Sequence, residues 1–316
     1  MRTIAVFGHR GARGLAPENT IGGFAVARAC GVTGVEFDVG LTADNFAVVH
    51  HDPRLNAAIA RDAAGHYVGA DAPLLRGLGF AQLAGYDVGR LRAGSEYAAR
   101  YPDQVPCDGA AIPSLTAVLA ALRELDLLIE VKTAPDRPAD TATPAAMATA
   151  VIDVLRAADA IEHAVLFAFD WRVLREASAI EPTLRRCCLT EPDTVAQGGL
   201  WLDGADLGAF DGKIIQAVAA TGAACWAPFH ATLEEADVRE AQSLGLLVLP
   251  WTVNAPEALD RMIGFGVDGI ISDWPDRARL AVEHAGCRVA APGFIAGVGR
   301  LIPEIGAPGG VEQKLP

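Results

Sequence analysis

The chain holds 316 residues, 51% hydrophobic and 21% charged, so it can bury a large core and is neither a small stapled scaffold nor a disordered chain. Its 26 Lys and Arg against 39 Asp and Glu leave a formal charge of −13, which argues against capture of nucleic acid or an anionic membrane. A small anionic substrate stays compatible with that charge if a local cation cluster or a bound metal reverses the potential inside a cleft.

Six cysteines without C-x-x-C spacing are expected to be mostly small buried thiols. The apolar stretch at the start is too short for a signal peptide, and no run reaches the length of a membrane span. A soluble cytoplasmic protein is the expectation, with no nucleic-acid partner, no membrane insertion and no indication of oligomeric state.

Short β-rich apolar runs alternate with longer helical patterns, which favours a parallel sheet over a sandwich or a bundle. Eight such runs occur, at residues 4–8, 34–39, 127–132, 164–168, 184–189, 224–228, 246–252 and 269–272. Helical periodicity occupies 17–29, 114–125, 144–158, 171–180, 233–244, 256–265 and 275–284. This alternation predicts an α/β fold, a TIM-type (β/α)8 barrel with its site at the carboxyl ends of the strands; a doubly wound open sheet is the rival. Two segments break the rhythm. After the second strand, Thr42, Ala43, Asp44 and Asn45 form a turn into an extended run at 46–50, and residues 53–112 then follow without a period, the mark of an inserted cap. The barrel is expected over residues 1–286, and the Gly- and Pro-rich tail over 287–316 as an appendage without regular structure.

The first strand ends in Gly8-His9-Arg10-Gly11, placing an imidazole and a guanidinium at the barrel mouth, where glycines let backbone approach a ligand. A lone histidine there is more often a hydrogen-bonded structural residue, so its neighbours decide. In Val35-Glu36-Phe37-Asp38-Val39, alternation sends Glu36 and Asp38 to one face, Cα atoms roughly 7 Å apart. Two such carboxylates repel unless something positive lies between them: a hard divalent cation, or a paired Arg or Lys at a solvated strand end. Glu130 and Lys132 share a face of Ile129-Glu130-Val131-Lys132, either completing a three-carboxylate site beside an anion-binding lysine or forming an ordinary ion pair. Of the adjacent His50 and His51, His51 is the better acid or base, because alternation sends His50 the other way and Asp52 can orient the His51 ring.

Taken together, these residues resemble the glycerophosphodiester phosphodiesterase family. The resemblance rests on nine elements in register over residues 4–282: His9-Arg10-Gly11, Pro17-Glu18-Asn19-Thr20, Glu36-Phe37-Asp38, Thr42 with Asp44, His51-Asp52, Ile112-Pro113-Ser114-Leu115, Glu130-Val131-Lys132, Trp251-Thr252-Val253-Asn254, and Gly266-Val267-Asp268-Gly269 leading into Ser272-Asp273. It implies a TIM-type barrel with an insertion after the second strand. It also implies Mg²⁺ or Ca²⁺ ligands at Glu36, Asp38 and Glu130, and general acid and base histidines at His9 and His51. Arg10 and Lys132 would contact phosphate, and Phe169 and Trp251 would line the substrate pocket. Two departures stand out: Ala168 precedes Phe169 where the family often carries Ser, and the tail beyond residue 286 has no family counterpart.

The implied reaction is metal-dependent hydrolysis of a small glycerophosphodiester to glycerol 3-phosphate and an alcohol, with water or the substrate's own 2-hydroxyl as nucleophile. Because the 53–112 segment leaves directly after His51-Asp52, it is expected to set which alcohol headgroup is accepted. Leu74, Leu75, Leu78, Phe80, Leu83 and Leu91 would pack it, and Tyr67, Tyr86 and Tyr97 are placed to face the headgroup. The rival readings are a phospholipase D-like barrel acting on lysophospholipids and a non-catalytic phosphate-binding barrel. Retention of both histidines and all three carboxylates argues against the latter.

Overall fold

Eight of the apolar runs become the staves of a closed barrel. The computed structural model describes residues 1–297. In chain order it contains β1 (Thr3–His9), α1 (Ile21–Ala29), β2 (Gly34–Leu41), β3 (Ala47–Val49), α2 (Phe80–Leu83), α3 (Glu96–Arg100) and α4 (Leu115–Ala121). Next come β4 (Asp126–Val131), α5 (Pro144–Ala157), β5 (Ala164–Ala168), α6 (Trp171–Ile180), β6 (Arg185–Thr190), α7 (Pro192–Ala196) and α8 (Ile214–Ala220). The chain continues through β7 (Cys225–Pro228), α9 (Glu235–Ser243), β8 (Leu247–Val248), α10 (Pro256–Phe265), β9 (Gly269–Ser272), α11 (Pro275–His284) and β10 (Arg288–Val289).

The strands β1, β2, β4, β5, β6, β7 and β8 pair in parallel in that order, and β9 pairs with β1 in the register Gly8↔Ser272. Individual backbone bonds close the remaining seam: Asp268 N donates to Val248 O at 3.1 Å, Ile271 N to Pro250 O at 3.1 Å and Val253 N to Ile271 O at 2.9 Å. Pro250 has no N–H to give, which shortens the strand expected at 246–252 to two regular residues. The fold is the TIM-type barrel, not the open sheet.

Strand alternation sorts the core. Ala5, Phe7, Leu128, Val165, Phe167, Leu189, Ala227 and Ile271 cluster inside the barrel, while Ile4, Val6, Val35, Phe37, Leu127, Ile129 and Leu166 pack outward under the helices. The helices start where the sequence supplies caps: Thr143 accepts from Ala146 N at 3.3 Å with Pro144 in the first turn, and α5 then buries Met147, Ala148, Val151, Ile152 and Leu155 at helical spacing. The helix expected from residue 17 begins only at Ile21. Asn19, at φ 54°, lies outside helical backbone, and the Thr20 hydroxyl caps the helix by accepting from Gly23 N at 3.0 Å. Short α7 and α8 fall where periodicity shows nothing, because five and seven residues are too few to display it.

Residues 53–112 carry a cluster of their own, in which Leu55, Ala60, Ala72, Leu75, Leu83 and Val88 pack with Val48 and Ile112, bordered by Leu78, Phe80 and Tyr86. The tail departs from expectation within its described part. β10 pairs with the start of β1, and Gly293 N and Ile295 N donate to the two Asp126 carboxylate oxygens at 3.0 and 3.1 Å. That anchor inserts fully buried Ile295 among the interior residues at the amino-terminal end of the barrel. The rest of the tail, residues 298–316, lies outside the described residues. Of the six cysteines Cys187, Cys188 and Cys225 are buried and Cys107 is exposed, so burial is less general than expected. Among the described residues no helix is long and apolar enough to cross a membrane.

Candidate active site

The site begins at a turn that only glycine permits. A Cβ at Gly8 would stand 1.9 Å from the Gly11 carbonyl oxygen, and Gly11 itself sits at φ 87°. The chain therefore folds back directly after β1, with Arg10 in the left-handed region at φ 51° and its N–H donating to Glu36 Oε2 at 3.0 Å. The Arg10 guanidinium then reaches Glu18 Oε1 at 2.8 Å and lies 3.3 Å from Asp38 Oδ2, while Asn19 Nδ2 donates to the same Asp38 oxygen at 2.9 Å.

Glu36 and Asp38 do share a face of β2, and the β2–β4 register sets Asp38 directly beside Glu130. One oxygen from each of the three carboxylates lies within 4.8 Å of the others. Lys132 Nζ bonds the Glu130 carboxylate and lies 3.6 Å from Asp38 Oδ1. The carboxylates have cationic neighbours at a buried, not solvated, strand end, yet Glu36 Oε1 and Asp38 Oδ1 remain without a hydrogen-bond partner. Burial, then the Asp38 and Glu130 charges, push the Glu36 carboxyl well above the usual range. Burial also raises Asp38, but His51, Arg10 and Lys132 outweigh it and hold that group well below. With every carboxylate ionised and Glu18 counted, four acids face Arg10 and Lys132, a formal excess of two negative charges that the raised Glu36 carboxyl reflects. One divalent cation cancels that excess, and an all-oxygen donor set suits Mg²⁺ or Ca²⁺. The residues present therefore fit such an ion.

Two imidazoles flank the cluster, each held through Nδ1 by a carboxylate. His9 Nδ1 lies 2.7 Å from Asp273 Oδ1, leaving Nε2 3.7 Å from Glu36 Oε2. His51 Nδ1 lies 2.7 Å from Asp52 Oδ1, and Asn56 Nδ2 steadies Asp52 by donating to Oδ2 at 2.8 Å. Burial lowers both rings to about 4, helped by Arg13 at His9 and by Arg10 and Lys132 at His51. A carboxylate can only accept, so Asp52 sets the His51 proton on Nδ1 and leaves Nε2 basic; at His9 the Asp273 carboxylate favours the same tautomer against Arg13 NH2, which lies 3.0 Å from the same Nδ1. His50, by contrast, is buried with Nε2 3.3 Å from the Arg54 carbonyl oxygen.

A cavity of about 380 Å³ opens on this chemistry at the carboxyl ends of the strands. His9, Arg10, His51, Glu130, Lys132, Phe169 and Trp251 all line it, and the more deeply buried Glu36 and Asp38 lie behind Arg10. Phe169 and Trp251 meet edge to face with ring centroids 5.3 Å apart. Larger grooves of about 600 and 680 Å³ lie at the tail and beside α5, away from both histidines and all three carboxylates.

Asp273 and Asn254, present in the sequence motifs without an assigned role, support the site. Asp273 takes Arg13 Nε at 2.7 Å on Oδ1 and Asn254 Nδ2 at 2.8 Å on Oδ2, so the His9 ring leans on a braced carboxylate. Closure of the barrel puts the last strand beside the first, and that was the available signal. Tyr97 does not face a headgroup: its hydroxyl donates to Glu18 and accepts from Arg13 NH1 at 3.2 Å. Tyr67 bonds the Arg90 carbonyl oxygen at 3.2 Å and Tyr86 borders the small core of the insertion. Among the described residues, none of 53–112 lines the cavity.

Comparison with known proteins agrees with this geometry. The family model described as "Glycerophosphoryl diester phosphodiesterase family" matches residues 9–277. A glycerophosphodiester phosphodiesterase of Caldanaerobacter subterraneus subsp. tengcongensis is 25% identical over 90% of this chain and all of its own length. A crystal structure from Silicibacter pomeroyi DSS-3, named as a candidate enzyme of the same kind, is 34% identical with a TM-score of 0.82, covering 92% of this chain and 96% of that one. An Oleispira antarctica phosphodiesterase crystallised with its product sn-glycerol-3-phosphate shares the fold at 20% identity and a TM-score of 0.64, over 89% and 97% of the two chains. With most of the barrel matched, this chain belongs to the glycerophosphoryl diester phosphodiesterase family and is a phosphoric diester hydrolase.

Proposed function

We propose that the chain hydrolyses glycerophosphodiesters to glycerol 3-phosphate and an alcohol in the 380 Å³ cavity, with His9 and His51 as the acid–base pair. The observation that carries this reading is the placement of two carboxylate-held imidazoles, His9 and His51, around a cluster with two uncompensated negative charges, next to Arg10 and Lys132. A divalent cation held by Glu36, Asp38 and Glu130 would supply neutralisation of a phosphoryl oxygen.

Arg10 and Lys132 bind the remaining phosphate charge, and Phe169 and Trp251 exclude water from one wall of the cavity. One imidazole takes the proton of the attacking oxygen at Nε2. The other, as imidazolium, returns a proton to the leaving alcohol; an anionic diester in the cavity favours that charged form. The same proposal divides the chain into a catalytic barrel over residues 1–286, with 53–112 as its inserted cap, and a tail from 287 whose described part closes the opposite end.

A coupled assay for glycerol 3-phosphate over a panel of glycerophosphodiesters tests the reading. Release is expected, should stop on chelation and should return with Mg²⁺ or Ca²⁺. Full turnover after exhaustive chelation overturns the metal assignment, and no release from any diester overturns the reading as a whole.

A further inference from the structure

Three cations on the cavity wall are already matched by acids: Arg10 by Glu18, Arg13 by Asp273 and Lys132 by Glu130. One acid there is not matched. Glu191 follows β6 at the cavity mouth, half-buried, and among the described residues no Lys, Arg or His lies within ion-pair distance of its carboxylate. Its backbone is satisfied separately, the N–H by the Thr194 hydroxyl at 3.2 Å and the carbonyl by the same hydroxyl at 3.0 Å. Burial and then the neighbouring Asp193 and Glu130 charges push the carboxyl upward, against a smaller lowering by Lys132.

The rest of that wall is aromatic. Trp201 joins Phe169 and Trp251 in lining the cavity, so a carboxylate and three aromatic side chains border one space. A carboxylate among aromatic faces is the environment that favours an organic cation, through charge attraction and the ring quadrupole. Position agrees with chemistry. The phosphate-binding Lys132 follows β4, and β6 lies two strands further round, roughly 10 Å at ordinary strand spacing, so a substituent extending from the phosphate across the mouth reaches the Glu191 side. Among the described residues none of 53–112, the segment expected from sequence to set headgroup choice, lines this space.

Building on the phosphodiesterase reading above, we propose that Glu191, with the Trp201 wall, is a specificity determinant that selects glycerophosphodiesters whose leaving alcohol carries a quaternary ammonium or protonated amine. With a divalent cation held by Glu36, Asp38 and Glu130, the phosphate end of the cavity would turn that ion, Arg10 and Lys132 toward the phosphate, while the Glu191 end is anionic, so a zwitterionic diester matches both ends, whereas a diester of neutral or further anionic alcohol matches only one.

The test compares kcat/KM for glycerophosphocholine with kcat/KM for glycerophosphoglycerol on one preparation, so that the ratio cancels the amount of folded enzyme. Glu191→Gln should lower this ratio about tenfold, within the size of a partly desolvated cation contact, and Glu191→Asp, which keeps the charge, should restore most of it. A ratio within twofold of the native value in Glu191→Gln overturns the proposal and leaves Glu191 as the cap of the five-residue α7. Calorimetric binding of glycerophosphocholine to native protein and to Glu191→Gln separates this inference from the activity reading. If native enzyme hydrolyses neither diester but binds the choline diester more tightly than Glu191→Gln does, hydrolysis fails and selection stands. If native enzyme hydrolyses both diesters and no ratio or affinity changes, selection fails and hydrolysis stands.

Discussion

Replacing Asp273 with Asn separates the support of His9 from the rest of the site. Every approach to this carboxylate is a donor: His9 Nδ1 and Arg13 Nε at 2.7 Å on Oδ1, Arg13 NH2 at 3.1 Å and Asn254 Nδ2 at 2.8 Å on Oδ2, with the Tyr101 hydroxyl at 3.4 Å. An amide at position 273 must turn its NH₂ toward one of those sets, so one orientation opposes His9 and Arg13 Nε and the other opposes Arg13 NH2 and Asn254. Neither orientation restores the charge that Arg13 faces. The buried pair is then broken, at a cost of about 3–5 kcal/mol against a typical total of about 5–15 kcal/mol, so Asp273→Asn should fold with a visibly lower urea midpoint.

On the folded fraction, kcat should fall by about 10²–10⁴, because the amide either turns its NH₂ to His9 and sends the ring proton to Nε2, or accepts from Nδ1 without the charge that stabilises the imidazolium. KM should move little, since Asp273 does not line the cavity. The measurement is a urea titration together with steady-state kinetics on glycerophosphodiester. A kcat within threefold of native in well-folded Asp273→Asn refutes the argument that His9 depends on this carboxylate.

Other consequences are open to direct measurement. His51→Ala should lower kcat by about 10²–10⁴, while His50→Ala, which removes a buried ring and its bond to the Arg54 carbonyl oxygen, should cost about 2–4 kcal/mol of stability and leave the rate per folded molecule within a few fold; a larger rate loss in His50→Ala than in His51→Ala would reverse the choice between them. Ile295→Ala should destabilise the barrel by about 2–5 kcal/mol with kcat per folded molecule unchanged, read by chemical denaturation, because the side chain is fully buried at the end opposite the cavity. Tyr97→Phe removes a hydrogen bond to the Glu18 carboxylate and should cost about 1.5–3 kcal/mol; a cost near zero would show that the insertion does not brace Arg10 through Glu18.

What could be read in advance follows from which interactions are local. Alternation along one strand places Glu36 beside Asp38 and Glu130 beside Lys132 without any knowledge of pairing, and all four were legible. The meeting of Asp38 with Glu130 needs the β2–β4 register, and that of His9 with Asp273 spans 264 positions and needs the barrel to close. Once Gly8 is set beside Ser272, the next residues on the two strands are His9 and Asp273, so this contact follows from the fold class and from nothing nearer in sequence. The tyrosines were misplaced because residues 53–112 have no period from which to tell an inward from an outward side.

The same contrast explains why the irregular segments nevertheless take definite positions. Their docking is set by polar groups that the barrel leaves with spare bonding capacity. Glu18, already paired with Arg10, accepts the Tyr97 hydroxyl; the Arg13 carbonyl oxygen accepts from Gln104 Nε2 at 2.8 Å; and Asp126, buried at the start of β4, accepts the Gly293 and Ile295 amides. Each is a polar group whose burial would be costly without the segment that meets it. A buried acid at the beginning of a barrel strand, such as Asp126, is therefore a sequence signal in its own right: it forecasts a chain segment returning with free amides. Pro292 and Gly293, at φ 91°, supply such a turn in a tail whose composition alone predicts only the lack of a helix.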